Sequence, residues 1–191
     1  IGLWVLRQAL KDTKKLHESG KMLTVSVNVS SKQLDNESFI YDVCEIVDDI
    51  GIDKSYVELE ITETHIMKCV DNALFILNSL HEKGFKLSID DFGTGYSSLS
   101  YLKKLPAKTI KIDRSFVLDI DKDEDDRSIV ATIIAMAKSL GKSVIAEGSE
   151  TKAHVDTLKL LHCNQVQGYY FSKPLKIESF KEFIDNFKID K

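Results

Sequence analysis

Six short segments of the chain resemble β-strands, and the first, second and fourth alternate apolar and polar residues with the period of two that is typical of a strand. The six segments span residues 25–30, 57–62, 87–91, 109–113, 143–147 and 165–171. Between them, apolar residues recur three or four positions apart, as on the buried face of an α-helix. These stripes consist of Val43, Ile46, Val47 and Ile50; Val70, Ala73, Leu74, Leu77 and Leu80; Ile129, Ile133, Met136 and Leu140; Val155, Leu158 and Leu161; and Phe180, Phe183, Ile184 and Phe187. We therefore predict alternating strands and helices, with the stripes facing the core.

The alternation of strands and helices indicates a parallel sheet, which is either doubly wound or closed into a barrel. A doubly wound sheet is covered on both faces, so its strands are almost continuous apolar runs. Here polar residues interrupt the strands, as Ser26 and Asn28 do in the first and Glu58 and Glu60 do in the second. A polar face on each strand favours a barrel with a polar lumen, whose active site lies at the carboxyl ends of the strands.

The carboxyl ends of the six predicted strands carry polar or charged side chains. These residues are Asn28, Glu60, Asp90, Asp91, Lys111, Glu147 and Gln167. Unrelated surface charges would be scattered along strands and helices, whereas this set recurs at a similar position in successive units. We therefore interpret the set as a candidate functional site.

Within this set, Asp90 and Asp91 follow an apolar run and precede a loop that contains Gly93 and Gly95. Two adjacent carboxylates repel each other, so their burial requires a compensating charge. A divalent cation such as Mg²⁺ or Mn²⁺ would provide that charge, because hard cations prefer oxygen ligands. A solvated turn is the alternative, because Asp and Gly are common turn residues.

The length of 191 residues fits one domain, which we place at residues 1–191. The chain begins at Ile1 within a predicted helix, so we expect it to be part of a longer protein. A net charge of −4 argues against binding to a nucleic acid polymer. No apolar run approaches the ~18 residues of a membrane span. We expect a cytoplasmic domain, with any membrane anchor in an upstream part of the parent protein.

The cysteines and histidines form no recognisable metal-binding motif. Three cysteines, Cys44, Cys69 and Cys163, include no CxxC pair, which indicates a reducing compartment and argues against a disulfide framework or a zinc site. The histidines form no HxxxH pair either, and His65, His81 and His154 fall beside charged residues in predicted helices. We expect these three side chains at the surface.

Six motifs in register give the sequence a family resemblance. They are VNVS at 27–30, ELEITE at 58–63, DDFGTGYSSL at 90–99, KIDRSFV at 111–117, AEGSET at 146–151 and QGYYF at 167–171. In this order they resemble the EAL-domain cyclic di-GMP phosphodiesterases. The resemblance implies an α/β fold, a TIM-like (βα)₈ barrel, which takes roughly 250 residues. We therefore expect a truncated barrel that lacks roughly the first two strands, together with the Glu-Ala-Leu signature.

The resemblance also implies roles for the matched residues. Asn28, Glu60 and Asp90 would ligate one Mg²⁺ or Mn²⁺, and Asp90 would bridge to a second ion that Asp91 also holds. Lys111 would orient the attacking water, and Glu147 would bind the metal or act as a base. The remaining roles are substrate binding for Gln167, and support of the site by Glu63, Glu150 and the loop residues Gly93, Thr94 and Gly95. Alternatively, Glu63 and Glu150 are acidic residues that helix N-termini favour.

The implied function is metal-dependent hydrolysis of cyclic di-GMP to the linear dinucleotide pGpG. We expect this activity of the intact parent, and we expect the 191-residue chain alone to be inactive because strand edges at 25–30 or 165–171 would be open. A non-catalytic receptor that binds cyclic di-GMP is the alternative function. The resemblance further implies a homodimer and a sensor or GGDEF domain upstream in the parent.

Overall fold

The computed structural model describes residues 1–68, 70–95 and 98–187. Cys69 and residues 96 and 97 of the 90–99 motif lie outside this part of the chain. Six parallel strands form one sheet in the order β1-β2-β3-β4-β5-β6. They are β1 Val25–Asn28, β2 Val57–Thr62, β3 Lys86–Phe92, β4 Thr109–Ile112, β5 Ser143–Glu147 and β6 Gln165–Gln167.

Helices connect the strands. They are α1 Gly2–Glu18, α2 Ser31–Leu34, α3 Phe39–Ile50, α4 Glu63–Lys68, α5 Val70–Glu82, α6 Leu99–Lys104, α7 Glu124–Ser139, α8 Lys152–Leu160 and α9 Ile177–Asn186. Among the described residues, none of these helices is both long and apolar enough to cross a membrane.

The strand order distinguishes the two predicted sheet types. A doubly wound sheet reverses its order at a switch point, whereas these strands are added consecutively on one side, as in a barrel. The prediction of a truncated TIM-like (βα)₈ barrel is confirmed. In the described part of the chain β1 and β6 are the two edges of the sheet, as expected.

Three predicted strands end earlier than the sequence suggested. After β1, the backbone N–H and hydroxyl of Ser30 both donate to Gln33 Oε1, so Ser30 starts a helix. After β4, Asp113 accepts a hydrogen bond from the backbone N–H of Ser115 and opens a 3₁₀ turn. After β6, the chain turns so that Tyr170 N–H donates to Ser149 O. In each case local capping or turn formation replaces the ladder.

The core lies between the sheet and the helices that pack on it. The stripe of α3 is buried as predicted, with Val43, Ile46, Val47 and Ile50 all under 9% exposed. Two stripes differ from the prediction. On α7, Ile129 is 39% exposed and the buried face is formed by Val130, Ile133, Ile134 and Ala137. On α9 no residue is buried, because this helix follows the edge strand β6.

Candidate functional site

A buried ammonium group lies at the centre of the candidate site. Lys111 Nζ, on β4, is 2.7 Å from Glu60 Oε2, 2.7 Å from Glu147 Oε1 and 3.1 Å from Asp90 Oδ1. The three carboxylates come from β2, β5 and β3, so one lysine joins four adjacent strands. We call these four side chains the Lys111 cluster.

The period of the strands explains this convergence. Side chains two residues apart point to the same face of a strand. Lys111 is paired in register with Ile145, two residues before Glu147, and Glu60 is paired with Ser88, two residues before Asp90. The four side chains therefore lie on one face of the sheet, near the carboxyl ends of their strands, and Lys111 is long enough to span them.

The Lys111 cluster carries more negative charge than its lysine can balance. Three carboxylates and one ammonium leave a net charge of −2 when all are ionised, and Lys111, Glu60 and Asp90 are only 3%, 6% and 7% exposed. Asp90 Oδ1 accepts no hydrogen bond among the described residues, although it lies 3.1 Å from Lys111 Nζ. Buried excess charge is costly, so the cluster favours an additional positive charge.

The pKa values of the cluster follow from burial and pairing. Burial raises the pKa of both Glu60 and Glu147 above the ordinary glutamate value, and their contacts with Lys111 only partly oppose this effect. Burial acts to lower the pKa of Lys111, but its hydrogen bonds to Glu147 and Glu60 outweigh burial, so its pKa is raised. The lysine is therefore a permanent cation, and Glu147 holds a proton more readily than an exposed glutamate.

A β-bulge presents the acid pair. The pairing of β3 with β4 shifts between Ile89 and Phe92, so one additional residue is inserted on β3. Asp91 has φ 52°, an uncommon backbone conformation for a residue other than glycine. Its pKa is raised by burial first and then by the carboxylates of Asp90 and Asp113. Asp91 is thus in a negative environment beside Asp90.

The loop after the acid pair is attached to α4. Glu63, which is 1% exposed, accepts a hydrogen bond of 2.8 Å from the backbone N–H of Gly93 through Oε2. A side chain on Gly95 would bring its Cβ within 3.0 Å of Glu63 Oε1, so glycine permits the close approach. Thr94 is exposed, and its hydroxyl donates to Asp91 O at 2.8 Å. Glu63 thereby connects the helix after β2 with the loop after β3.

Asn28 and Gln167 lie at the carboxyl ends of β1 and β6, on the same side of the sheet as the Lys111 cluster but outside it. Asn28 is paired in register with Glu60, and Gln167 is paired with Glu147. Both are exposed, and no polar contact joins either side chain to the cluster among the described residues. In the same part of the chain, no group of three acidic, histidine or cysteine side chains is arranged to hold a metal ion, and Glu60, Asp90 and Glu147 converge on Lys111 Nζ instead.

The loop after Glu147 is fixed to both neighbouring units. Ser149 N–H donates to Gln167 O, and the Glu150 carboxylate lies 2.5 Å from Arg114 Nη2. Gly148 has φ +78°, and a Cβ at this position would collide with the side chain of Arg114. The glycine therefore lets the arginine cross the loop to reach Glu150.

The prediction for His154 is wrong, because its side chain is buried at 4% exposure. It accepts a hydrogen bond from Glu150 N–H through Nδ1, and Nε2 lies 3.4 Å from Asp121 Oδ1. The sequence contains a signal for this burial, since His154 precedes Leu158 and Leu161 by four and seven residues on the inner face of α8. No comparable spacing in the sequence indicates that Asp121 would contact His154.

Comparisons with known proteins agree on one family. The model of the EAL domain matches residues 1–174. The chain is 43% identical over 188 residues to the cyclic di-GMP phosphodiesterase NbdA of Pseudomonas aeruginosa, which covers 98% of this chain and 24% of NbdA. The chain thus spans about a quarter of the length of this curated relative.

Solved structures give the same result. The phosphodiesterase MucR of P. aeruginosa, in complex with c-di-GMP, superposes with a TM-score of 0.92 at 38% identity, over 94% of this chain and 73% of that one. The manganese/cy-diGMP complex of BlrP1 from Klebsiella pneumoniae superposes with a TM-score of 0.81 at 29% identity, over 91% and 44% of the two chains.

Proposed function

Because the chain belongs to the EAL domain family, we propose that it contributes the catalytic residues of a phosphodiesterase that hydrolyses cyclic di-GMP. The Lys111 cluster is the observation that carries this proposal. A buried lysine held by three carboxylates at the carboxyl edge of a barrel sheet has no evident role in folding, since buried ion pairs contribute little net stability. The names of NbdA and MucR support the same substrate.

The residues present fit a divalent cation. The net charge of −2 in the Lys111 cluster, when all its groups are ionised, favours an added positive charge. All the oxygen donors are carboxylates or an amide, which suits Mg²⁺ or Mn²⁺. Asn28, Glu60, Asp90 and Asp91 would hold the cations. When bound, divalent cations supply Lewis acidity to the phosphodiester and to water.

The protein's own side chains then perform three tasks. The Lys111 ammonium orients the attacking water and the phosphate oxygens. Glu147 takes a proton from that water, and its raised pKa suits it to this role. The new P–O bond forms as the bond from phosphorus to the 3′ oxygen breaks, and that oxygen takes a proton from solvent water as it leaves. The product is the linear dinucleotide pGpG, and Gln167 contacts the substrate at the rim of the site.

Glu63 and the loop at residues 93–95 support the site indirectly. We propose that the hydrogen bond from Gly93 N–H to Glu63 holds the backbone that follows Asp91. The family resemblance extends this proposal to a homodimer and to a sensor or GGDEF domain in the parent protein. Sedimentation of the complete gene product, with and without the substitution Glu63→Gln, tests the dimer.

The function is tested by incubating the complete gene product with cyclic di-GMP and either Mg²⁺ or Mn²⁺. We expect the linear dinucleotide to form, and we expect a chelator to abolish its formation. In the variant Glu147→Gln the rate of formation should fall by about 10²–10⁴-fold, the range for loss of a general base. The exposed Glu82→Gln is the matched control. Binding of cyclic di-GMP without cleavage, with both cations present, would replace the proposed enzyme by a receptor.

A further inference from the structure

The backbone of Glu150 is held by the ring of a buried histidine. The Glu150 N–H donates to His154 Nδ1 at 3.3 Å. A ring nitrogen that accepts a hydrogen bond carries no proton, so in the neutral ring the proton is on Nε2. That N–H faces Asp121 Oδ1 at 3.4 Å, and this oxygen accepts no hydrogen bond among the described residues. His154 therefore lies between Glu150 and Asp121.

The two partners of His154 belong to neighbouring barrel units. Asp121 lies in the segment between β4 and α7, while Glu150 lies in the loop between β5 and α8. The same β4–α7 segment supplies Arg114, which pairs with the Glu150 carboxylate. Thus the β4–α7 segment reaches Glu150 in two ways: Arg114 contacts its side chain directly, and Asp121 contacts His154, whose ring holds its backbone.

The two restraints on Glu150 differ in how far their side chains are exposed to water. The side chains of Arg114 and Glu150 are 55% and 39% exposed, so water readily replaces this ion pair. The His154 side chain is 5% exposed, so the packing around it fixes the ring, and a variant without a ring acceptor leaves the Glu150 N–H without this partner.

The loop that His154 restrains directly follows Glu147. Gly148 adopts φ +78° and allows more backbone conformations than any other residue. On the β6 side the loop is fixed by Ser149, through Gln167 O and Tyr170 N–H. On the β4 side His154 provides the corresponding contact, so the direction of Glu147 towards Lys111 depends on both.

We propose that His154, together with Asp121, is a positioning residue that fixes the Glu147 carboxylate through the backbone of Glu150. The consequence for catalysis rests on the proposed phosphodiesterase function. This role is distinct from capping α8. The cap uses the backbone N–H of His154, which donates to Thr151 Oγ1 at 3.2 Å, and does not involve the ring.

The test compares His154→Leu with His154→Gln in the complete gene product. Leucine fills the space without polar atoms, whereas the glutamine amide has an oxygen for Glu150 N–H and an N–H for Asp121. In His154→Leu we expect kcat to fall by about tenfold or more with KM within about twofold, because misplacement of a catalytic group affects the chemical step. We expect amide exchange at Glu150 to accelerate by about tenfold, and His154→Gln to restore both quantities.

Asp121→Leu and Asp121→Asn form a second pair, which applies if the histidine variants do not fold. Asparagine keeps an oxygen towards Nε2, so Asp121→Asn should retain slow exchange at Glu150 and Asp121→Leu should not. His81→Leu, at an exposed position on α5, is the control for loss of an imidazole and should leave kcat unchanged.

Three outcomes would overturn the proposal: an unchanged kcat in His154→Leu, unchanged Glu150 exchange in that variant, or a His154→Gln variant as impaired as His154→Leu. If the unmodified protein does not cleave cyclic di-GMP, the proposed function fails. Exchange at Glu150 in the four variants then decides on its own whether His154 and Asp121 fix this backbone.

Discussion

Replacing Lys111 with methionine removes the only positive charge of the Lys111 cluster while keeping an unbranched side chain of similar length. In the unmodified protein the ammonium lies within 3.1 Å of three carboxylates. Without it, Glu60, Asp90 and Glu147 face one another in a site that is almost closed to water. The substitution therefore tests whether the excess negative charge of the cluster makes it bind a cation.

Removal of one partner of a buried ion pair costs about 3–5 kcal/mol. Protonation of the glutamates, whose pKa values are already raised, reduces this loss at low pH. For a urea m-value of about 2 kcal/mol/M, the loss lowers the unfolding midpoint by about 2 M near neutral pH.

A divalent cation should recover much of this loss. The substitution raises the negative charge of the ionised cluster from −2 to −3, so the folded variant binds Mg²⁺ or Mn²⁺ through the same oxygens. A cation present at 100 times its dissociation constant stabilises the folded state by about 2.7 kcal/mol. The midpoint of Lys111→Met should therefore respond more strongly to cation than that of the unmodified protein.

Urea unfolding of the 191-residue chain, followed by circular dichroism with chelator and with Mn²⁺, measures both effects. Lys108→Met, at an exposed position three residues earlier, is the matched control and should change the midpoint little. Equal midpoints for Lys111→Met with chelator and with saturating Mn²⁺ would refute the inference that the cluster binds a cation.

Further predictions concern the surroundings of the site. Glu63→Leu removes the buried carboxyl group that accepts from the half-buried backbone N–H of Gly93 and should cost about 1.5–3 kcal/mol in urea unfolding; a loss below 0.5 kcal/mol, the size of a surface substitution, would contradict this. Gly168→Ala should destabilise the protein more than Gly141→Ala, because a Cβ at 168 collides with the backbone of Ser149 whereas position 141 is open and costs only its positive φ, about 1–2 kcal/mol; equal thermal shifts would contradict this order. Burial raises the pKa of the Cys163 thiol, so the folded state keeps its proton while the unfolded thiol ionises near pH 8.5, and stability should fall as pH rises from there through the raised pKa. Cys163→Ala should show a smaller fall in unfolding midpoint between pH 8 and pH 10, and an identical fall would contradict the assignment.

The sequence predicts the barrel sheet because its information is local. The strands at 57–62 and 143–147 have the predicted bounds, since the strand-like pattern of each segment continues up to the residue where the ladder ends. At Ser30 and Asp113 the prediction is wrong, because side chains that cap the following turn compete with the strand. Alternation alone does not reveal that competition.

The candidate site was predictable in its position and not in its contacts. Periodicity places Glu60, Asp90, Lys111 and Glu147 at one edge of the sheet, but the pairing of Lys111 with all three carboxylates depends on strand register, which the sequence does not give. The charged neighbours of His154 predict a surface position, whereas its spacing from Leu158 indicates the inner face of α8, where the side chain lies.

The most direct test of the proposed function is hydrolysis of cyclic di-GMP by the complete gene product in water enriched in ¹⁸O. If the site described here activates water for attack on phosphorus, mass spectrometry of a single turnover with Mn²⁺ or Mg²⁺ will show pGpG with one ¹⁸O in its terminal phosphate. The same reaction with Glu147→Gln will yield almost none. Cyclic di-GMP that remains intact with both cations, or a linear product without the label, would contradict the account.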